Sequence, residues 1–204
     1  MKIELKESSK RSPRKANLSR KTAETEVNIE LNLDGSGQAD IKTNIKFLTH
    51  MLELLAKHAQ IDLQIECTGD LQHHIVEDVA IVLGQALQQA LGEKRGITRY
   101  GFAYIPMDEA LARCVLDLGG RAYLVNKMNL TTAQVEDIPV SLLEHFLDTF
   151  VKNANINLHL ETLYGQNDHH KVEAIYKALA RALKQALSFD SKASDQIPSS
   201  KGVI

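Results

Sequence analysis

The sequence predicts an α+β fold made by internal duplication, with helices sandwiched between two small mixed β-sheets. Three observations carry this. The stretches HHIVEDVAIVLGQALQQAL (His73–Leu91) and HHKVEAIYKALARALKQAL (His169–Leu187) start 96 residues apart and agree at 10 of 19 positions. The likeness continues upstream, where FLTHMLELLAKHAQIDLQIECTGDLQ aligns with LLEHFLDTFVKNANINLHLETLYGQND and sets His50 opposite His145. Finally, strand and helix patterns recur in one order in both halves.

The elements follow from periodicity. Glu26–Leu33 alternates polar and apolar residues as a half-buried strand does, and Asp34-Gly35-Ser36-Gly37 is a turn. Phe47–Ala59 places Phe47, Leu48, Met51, Leu52, Leu54 and Leu55 on one helix face. Ile61–Cys67 alternates again, and a polar turn over Thr68–Gln72 leads to the first His-His helix, which stops at Gly92. In the second half Ala112–Leu118 and Ala122–Val125 read as strands around the turn Gly119-Gly120. A helix over Val140–Val151, a strand over Ile156–Leu163 and the second His-His helix complete the set. A helical face and a one-sided sheet must each be covered, so the two halves are expected to pack helix against helix. The expected boundaries are a flexible basic tail at 1–17, half-repeats at 18–95 and 96–190, and a C-terminal tail at 191–204, together one compact domain.

Composition narrows the class. The 204 residues are 44% hydrophobic and 25% charged with net charge −2, the balance of a soluble globular protein with no pull toward nucleic acid or anionic membrane. No stretch approaches the ~18 apolar residues of a membrane span. The first twenty residues carry seven Lys/Arg and two Glu but no apolar segment, so they are not a secretory signal and the cytoplasm is the expected location. Cys67 and Cys114 lack metal-site spacing and are expected as buried thiols.

The duplicated kit carries the chemistry. Glu77 lies three and four residues after His74 and His73, within reach of either on a helix, and Glu173 stands likewise to His170 and His169. Adjacent histidines diverge by about 100°, so each pair is suited to serving two metals rather than one. With His50 and His145 the tally is six imidazoles and two carboxylates, which divides into two sites of three His and one Glu. Nitrogen and oxygen donors without thiolate suit Mn, Fe, Co, Ni or Zn. HExxH is absent, and HxxEH fails because Asp78 and Ala174 follow the glutamates. His58 and His159 fall outside the kit and are expected in the core or behind the ligands. Arg99, Arg121, Lys177, Ser199 and Lys201 form a second, basic and hydroxylic set of the kind a phosphate needs.

Read together, RKTAET (20–25), LNLDGSG (31–37), FLTHML (47–52), HHIVEDVAIVLGQAL (73–87), GITRYG (96–101), IPMDEALAR (105–113), DLGGRAYLV (117–125), LLEHF (142–146), the stretch 158–183 and PSSKGV (198–203) resemble the imidazoleglycerol-phosphate dehydratase family. The resemblance implies a hydro-lyase of histidine biosynthesis that removes water from imidazoleglycerol phosphate. It implies two Mn2+ ions per active site and a homo-oligomer of twenty-four subunits with sites at their interfaces. One metal would take His50, His74, Glu77 and His170; the other would take His73, His145, His169 and Glu173, with ligands drawn from neighbouring chains. Glu24 matches the family's catalytic acid/base, and Arg99, Arg121, Lys177, Ser199 and Lys201 match its substrate contacts. The chain departs from the family at Thr49, where an Asp is usual, and at Leu54, where a Gln is. Asn44-Ile45-Lys46 stands for Gly-Ile-Pro, and GDLQHH is about three residues short. A metal-binding relative without turnover and a dinuclear metallohydrolase are the alternatives; release of imidazole acetol phosphate separates all three.

Overall fold

The computed structural model describes residues 12–192 and 196–204. The first half runs β1 (Lys15–Lys21), β2 (Thr25–Asn32), β3 (Ala39–Lys42), α1 (Lys46–Ala59), β4 (Asp62–Gly69) and α2 (Gln72–Leu91). The second half begins with β5 (Tyr100–Met107), β6 (Ala110–Asp117) and β7 (Tyr123–Lys127). A short hairpin, β8 (Gln134–Val135) and β9 (Ile138–Pro139), leads into α3 (Val140–Ala154), β10 (Asn157–Tyr164) and α4 (Asp168–Leu187). The sheets are ordered β1-β2-β4-β3 and β5-β6-β10-β7, so position matches position. In each, only the final pair is parallel. The duplicated α+β fold with mixed sheets is therefore present down to strand direction.

Local sequence accounts for the elements. Thr25, Val27, Ile29 and Leu31 of β2 face inward and Glu26, Asn28 and Glu30 outward, the alternation of a sheet wet on one side. α1 and α3 both end on a left-handed residue, Gln60 and Asn155, whose N–H returns to the carbonyl of Ala56 or Val151. The helices form the middle layer: α2 lies on β1 and β2, α4 on β5 and β6, and across the halves α2 packs on α3 and α1 on α4. The α2–α3 crossing is close because of Gly84, where a Cβ would stand 2.8 Å from the Phe150 carbonyl oxygen. The crossing helices carry His73 and His145, so close packing sets the distance between them.

Five strands among the described residues lie outside the periodicity reading, two of them the two-residue strands of the β8–β9 hairpin. β1 is a basic edge strand in which only Ala16 is buried, so it has almost no apolar alternation. β3 is four residues long. β5 is also an edge; Tyr100, Phe102 and Tyr104 point outward, and Gly101 and Pro106 interrupt the strand signal. Strand β1 starts inside the stretch expected as a tail over 1–17. Just before it, Arg14 pairs with Asp34 and donates to the Leu187 carbonyl at the end of α4. Residues 1–11 of that tail, and 193–195 of the C-terminal one, lie outside the described residues. Cys67 and Cys114 are buried and free, and burial pushes both thiols up, Cys67 to about 11, which leaves them poor nucleophiles.

Candidate metal centre

Helix geometry resolves which histidine of each pair shares a face with its glutamate. His73 Nε2 lies 3.9 Å from Glu77 Oε2, and His169 Nε2 lies 3.3 Å from Glu173 Oε2, both pairs at i and i+4. His74 and His170 turn away, their rings edge-on to their neighbours at 6.0 and 6.1 Å between centroids. The third member of each group comes from the other half of the chain. His145 on α3 stacks on His73 with centroids 5.0 Å apart, and its Nε2 is 3.5 Å from Glu77 Oε1. His50 on α1 brings Nε2 to 3.4 Å from Glu173 Oε2. The donor atoms of His73, Glu77 and His145, and separately those of His50, His169 and Glu173, lie within 4.8 Å of one another.

These groups fit a cation. Ligands about 2.0–2.2 Å from one ion are themselves about 3–4 Å apart, which matches the separations here. The sharper observation is His145 Nε2, a buried atom with no hydrogen-bond partner among the described residues. A buried polar nitrogen is normally satisfied, and a metal would satisfy this one.

Behind the clusters, carboxylates hold the far ring nitrogens. His169 Nδ1 is 2.9 Å from Glu136, His74 Nδ1 is 2.7 Å from Asp70, and His170 Nδ1 is 2.7 Å from Glu109. Asp70 and Glu109 raise the pKa of their histidines. The Asn167 amide and the His170 ring hold Glu109 down to about 2. A carboxylate on Nδ1 fixes the tautomer that leaves Nε2 free to ligate. Asp70 is in the shortened loop, so the loop keeps an acid at the first pair. Sequence reasoning passed over Asp70, Glu109 and Glu136; IPMDEALAR held the only visible signal, an acidic pair in a hairpin turn.

The other expected residues divide into groups. Glu24 sits in the β1–β2 turn, its side chain exposed and its Oε2 3.7 Å from His74 Nδ1. Arg99, Arg121, Ser199 and Lys201 line one cavity of about 560 Å3 together with Gly119 and Gly120. Within it Arg99 grips Asp117 at 2.6 and 3.0 Å and donates to the Pro198 carbonyl at 2.7 Å, tying the C-terminal segment to the sheet. Lys177 stands elsewhere, its Nζ 2.6 Å from Glu173 Oε1. His58 is half-buried near Lys177 and Arg181, and burial, followed by those charges, lowers its pKa.

Departures from the family pattern are absorbed locally. Asn44 takes a left-handed φ of 60°, which Asn tolerates better than most residues. Lys46 has an N–H that a proline would lack, and it donates to Asp137 at 2.7 Å. Thr49 Oγ1 pairs with the buried Thr43 hydroxyl at 3.0 Å. Leu54 packs half-buried against the core.

Fold and site together define a duplicated α+β protein with two imidazole–carboxylate groups of metal-ligating type, each drawing on both halves. Residues 43–183 match the family model described as imidazoleglycerol-phosphate dehydratase. The imidazoleglycerol-phosphate dehydratase of Prosthecochloris aestuarii is 50% identical over 196 residues, covering 95% of this chain and 96% of that one. That of Zymomonas mobilis is 50% identical over 192 residues, covering 93% and 98%. The crystal structure of the Staphylococcus aureus enzyme superposes with a TM-score of 0.79 at 40% identity, over 85% of this chain and 98% of that one. A Pyrococcus furiosus structure in complex with (S)-C348 gives 0.77 at 35%, over 92% and 100%. The chain belongs to the imidazoleglycerol-phosphate dehydratase family.

Proposed function

We infer that this chain removes water from imidazoleglycerol phosphate to give imidazole acetol phosphate, a step of histidine biosynthesis, with Mn2+ at the two histidine–glutamate groups. The observation that carries the metal reading is the orphaned Nε2 of His145 beside Glu77. The family's relatives supply the substrate.

Eight side chains are assigned as ligands. His50, His74, Glu77 and His170 make one set, and His73, His145, His169 and Glu173 the other. Each set takes members from both groups of the chain: Glu77 is grouped with His73 and His145, whereas His50 is grouped with His169 and Glu173. Two metals per active site, completed where the two groups of different chains meet, satisfy this crossing. A closed homo-oligomer of twenty-four subunits is the proposed assembly and the cytoplasm the proposed location. No helix among the described residues is long and apolar enough to cross a membrane.

The substrate's leaving hydroxyl is on the carbon next to its imidazole ring, and the proton to be lost is on the neighbouring carbon. No carbonyl acidifies that proton, so base catalysis alone is slow. Bound metal supplies Lewis-acid polarisation of the imidazole ring and a template that orients it. Glu24 accepts the carbon proton and passes it to the departing hydroxyl, which leaves as water, and the resulting enol tautomerises to the ketone. Its exposed carboxylate in a turn beside His74 is free to reach a substrate held at the ligands. Positioned proton transfer of this kind contributes ~10²–10⁴-fold. Arg121, Ser199 and Lys201, with Arg99 bracing them, offer the phosphate its charge-assisted donors. Lys177 is assigned to the substrate side of Glu173.

Purified protein supplied with Mn2+ and imidazoleglycerol phosphate is expected to release imidazole acetol phosphate. Metal uptake with no turnover would leave the metal-binding relative; release of free phosphate would point to the hydrolase.

A further inference from the structure

Glu136 occupies a backbone position that a side chain makes costly. It sits at the tip of the β8–β9 hairpin with φ 52°, in the left-handed region that glycine and asparagine favour. Its side chain is 57% exposed, so burial does not account for it. What the side chain does is reach His169: Oε1 stands 2.9 Å from Nδ1, while Nε2 of the same ring faces Glu173 at 3.3 Å. The next residue, Asp137, accepts from the Lys46 and Phe47 amides at the start of α1, which carries His50. The Asp137 carbonyl takes the Gln72 side-chain amide at the start of α2. One hairpin tip thus touches the beginnings of α1 and α2 and the first turn of α4. The first half has no equivalent, because β3 ends at Lys42 and α1 starts at Lys46.

We propose that Glu136 is a positioning residue for His169 and, through it, for the metal-ligand group that His169 shares with Glu173. It accepts the Nδ1 proton of His169, holds the ring in one tautomer and orientation, and so presents Nε2 as a lone pair toward Glu173. The backbone strain persists because this carboxylate is needed there. The inference rests on reading that group as a metal site, and it does not depend on which reaction the protein runs.

Two variants separate positioning from mere structure. Glu136→Gly relieves the strained backbone and removes the carboxylate; Glu136→Gln keeps the strain and leaves an uncharged acceptor. Three quantities are read on the full chain: the melting temperature without metal, Mn2+ affinity by titration, and the His169 tautomer from its imidazole 15N shifts. Losing a partner of this kind weakens metal binding by about 10–100-fold. The expectation is that Glu136→Gly melts higher than the wild type yet binds Mn2+ at least about tenfold more weakly. Its His169 should lose the single Nδ1–H tautomer, and Glu136→Gln should fall between. Unchanged affinity and an unchanged tautomer in Glu136→Gly would overturn the inference alone. A wild type that takes up no Mn2+ would overturn both the inference and the metal reading beneath it.

Discussion

His145 and Glu77 belong to different halves of the duplicated chain, yet the imidazole Nε2 and the carboxylate Oε1 are 3.5 Å apart. His50 and Glu173 make the reciprocal approach at 3.4 Å. Duplication therefore did not produce two separate sites, one per half. The helices crossed, α2 onto α3 and α1 onto α4, and each group became a joint product of both repeats. Gly84, where a Cβ would stand 2.8 Å from the Phe150 carbonyl oxygen, keeps α2 and α3 close, and on the same two helices His145 stacks on His73.

Removing one imidazole from either group should cost metal and turnover together. His73→Ala and His169→Ala are both expected to fall well below wild-type metal content and to lose activity in proportion. Elemental analysis of the purified variants checks this. Full wild-type stoichiometry in both would contradict the ligand assignment.

Glu24 is outside both groups, its exposed side chain making only a 3.7 Å approach to His74. Glu24→Gln should leave metal content and melting temperature unchanged and cut kcat by at least ~10²-fold, the range of positioned proton transfer. A near-normal kcat would remove Glu24 from that role.

The repeated His-His-x-x-Glu could be read from the sequence because ligand spacing on one helix is a local property. The pairing of His145 with Glu77 could not, since it depends on which helices cross. The strands β2, β4 and β6 announced themselves by alternation, whereas β1 and β5 are edges whose outward faces carry lysines in one case and tyrosines in the other. The same physics hid the carboxylates behind the rings. Asp70, Glu109 and Glu136 sit in turns, and a turn acid reads as solvated surface until its partner histidine is seen. Lys177 groups with Arg99 and Arg121 as a basic set suited to phosphate, but which cations share a cavity is a tertiary property, and in the fold its Nζ stands on Glu173.

Asp168 opens α4 and anchors the β7–β8 connection. It accepts from the Thr131 and Thr132 amides at 2.7 and 2.8 Å and pairs with the buried Lys171 at 2.8 Å. Burial pushes its pKa up, but the Lys171 ammonium and those amides outweigh this and hold it well below the usual 3.8. A depressed carboxylate contributes stability that is present above the unfolded pKa and is lost as pH falls through the folded one. Asp168→Asn should therefore destabilise at neutral pH, by about 3–5 kcal/mol if Lys171 is left charged and unpaired. The gap from wild type should narrow below about pH 4. Denaturant melts at pH 7 and pH 3 measure it; an equal gap at both would mean that the ion pair is not the source.

Arg99 and Arg121 line the same cavity but are held differently, and that difference predicts two kinds of damage. Arg99 is a brace, its fork on Asp117 and one nitrogen on the Pro198 carbonyl. Arg121 is exposed at the cavity wall beside Ser199 and Lys201. If the cavity receives the substrate phosphate, Arg121→Ala loses a hydrogen bond to a charged group, worth about 1.5–3 kcal/mol. KM should rise roughly tenfold to a hundredfold, since 1.4 kcal/mol is a factor of ten in affinity. Both kcat and melting temperature should hold, as expected when a contact made equally to ground and transition states is removed. Arg99→Ala should raise KM as well, but it should also lower the melting temperature and expose the chain beyond residue 196 to proteolysis. Steady-state kinetics with thermal melts on both variants decide the matter. An Arg121→Ala enzyme with unchanged KM would take the phosphate out of this cavity, whatever Arg99→Ala does to the fold.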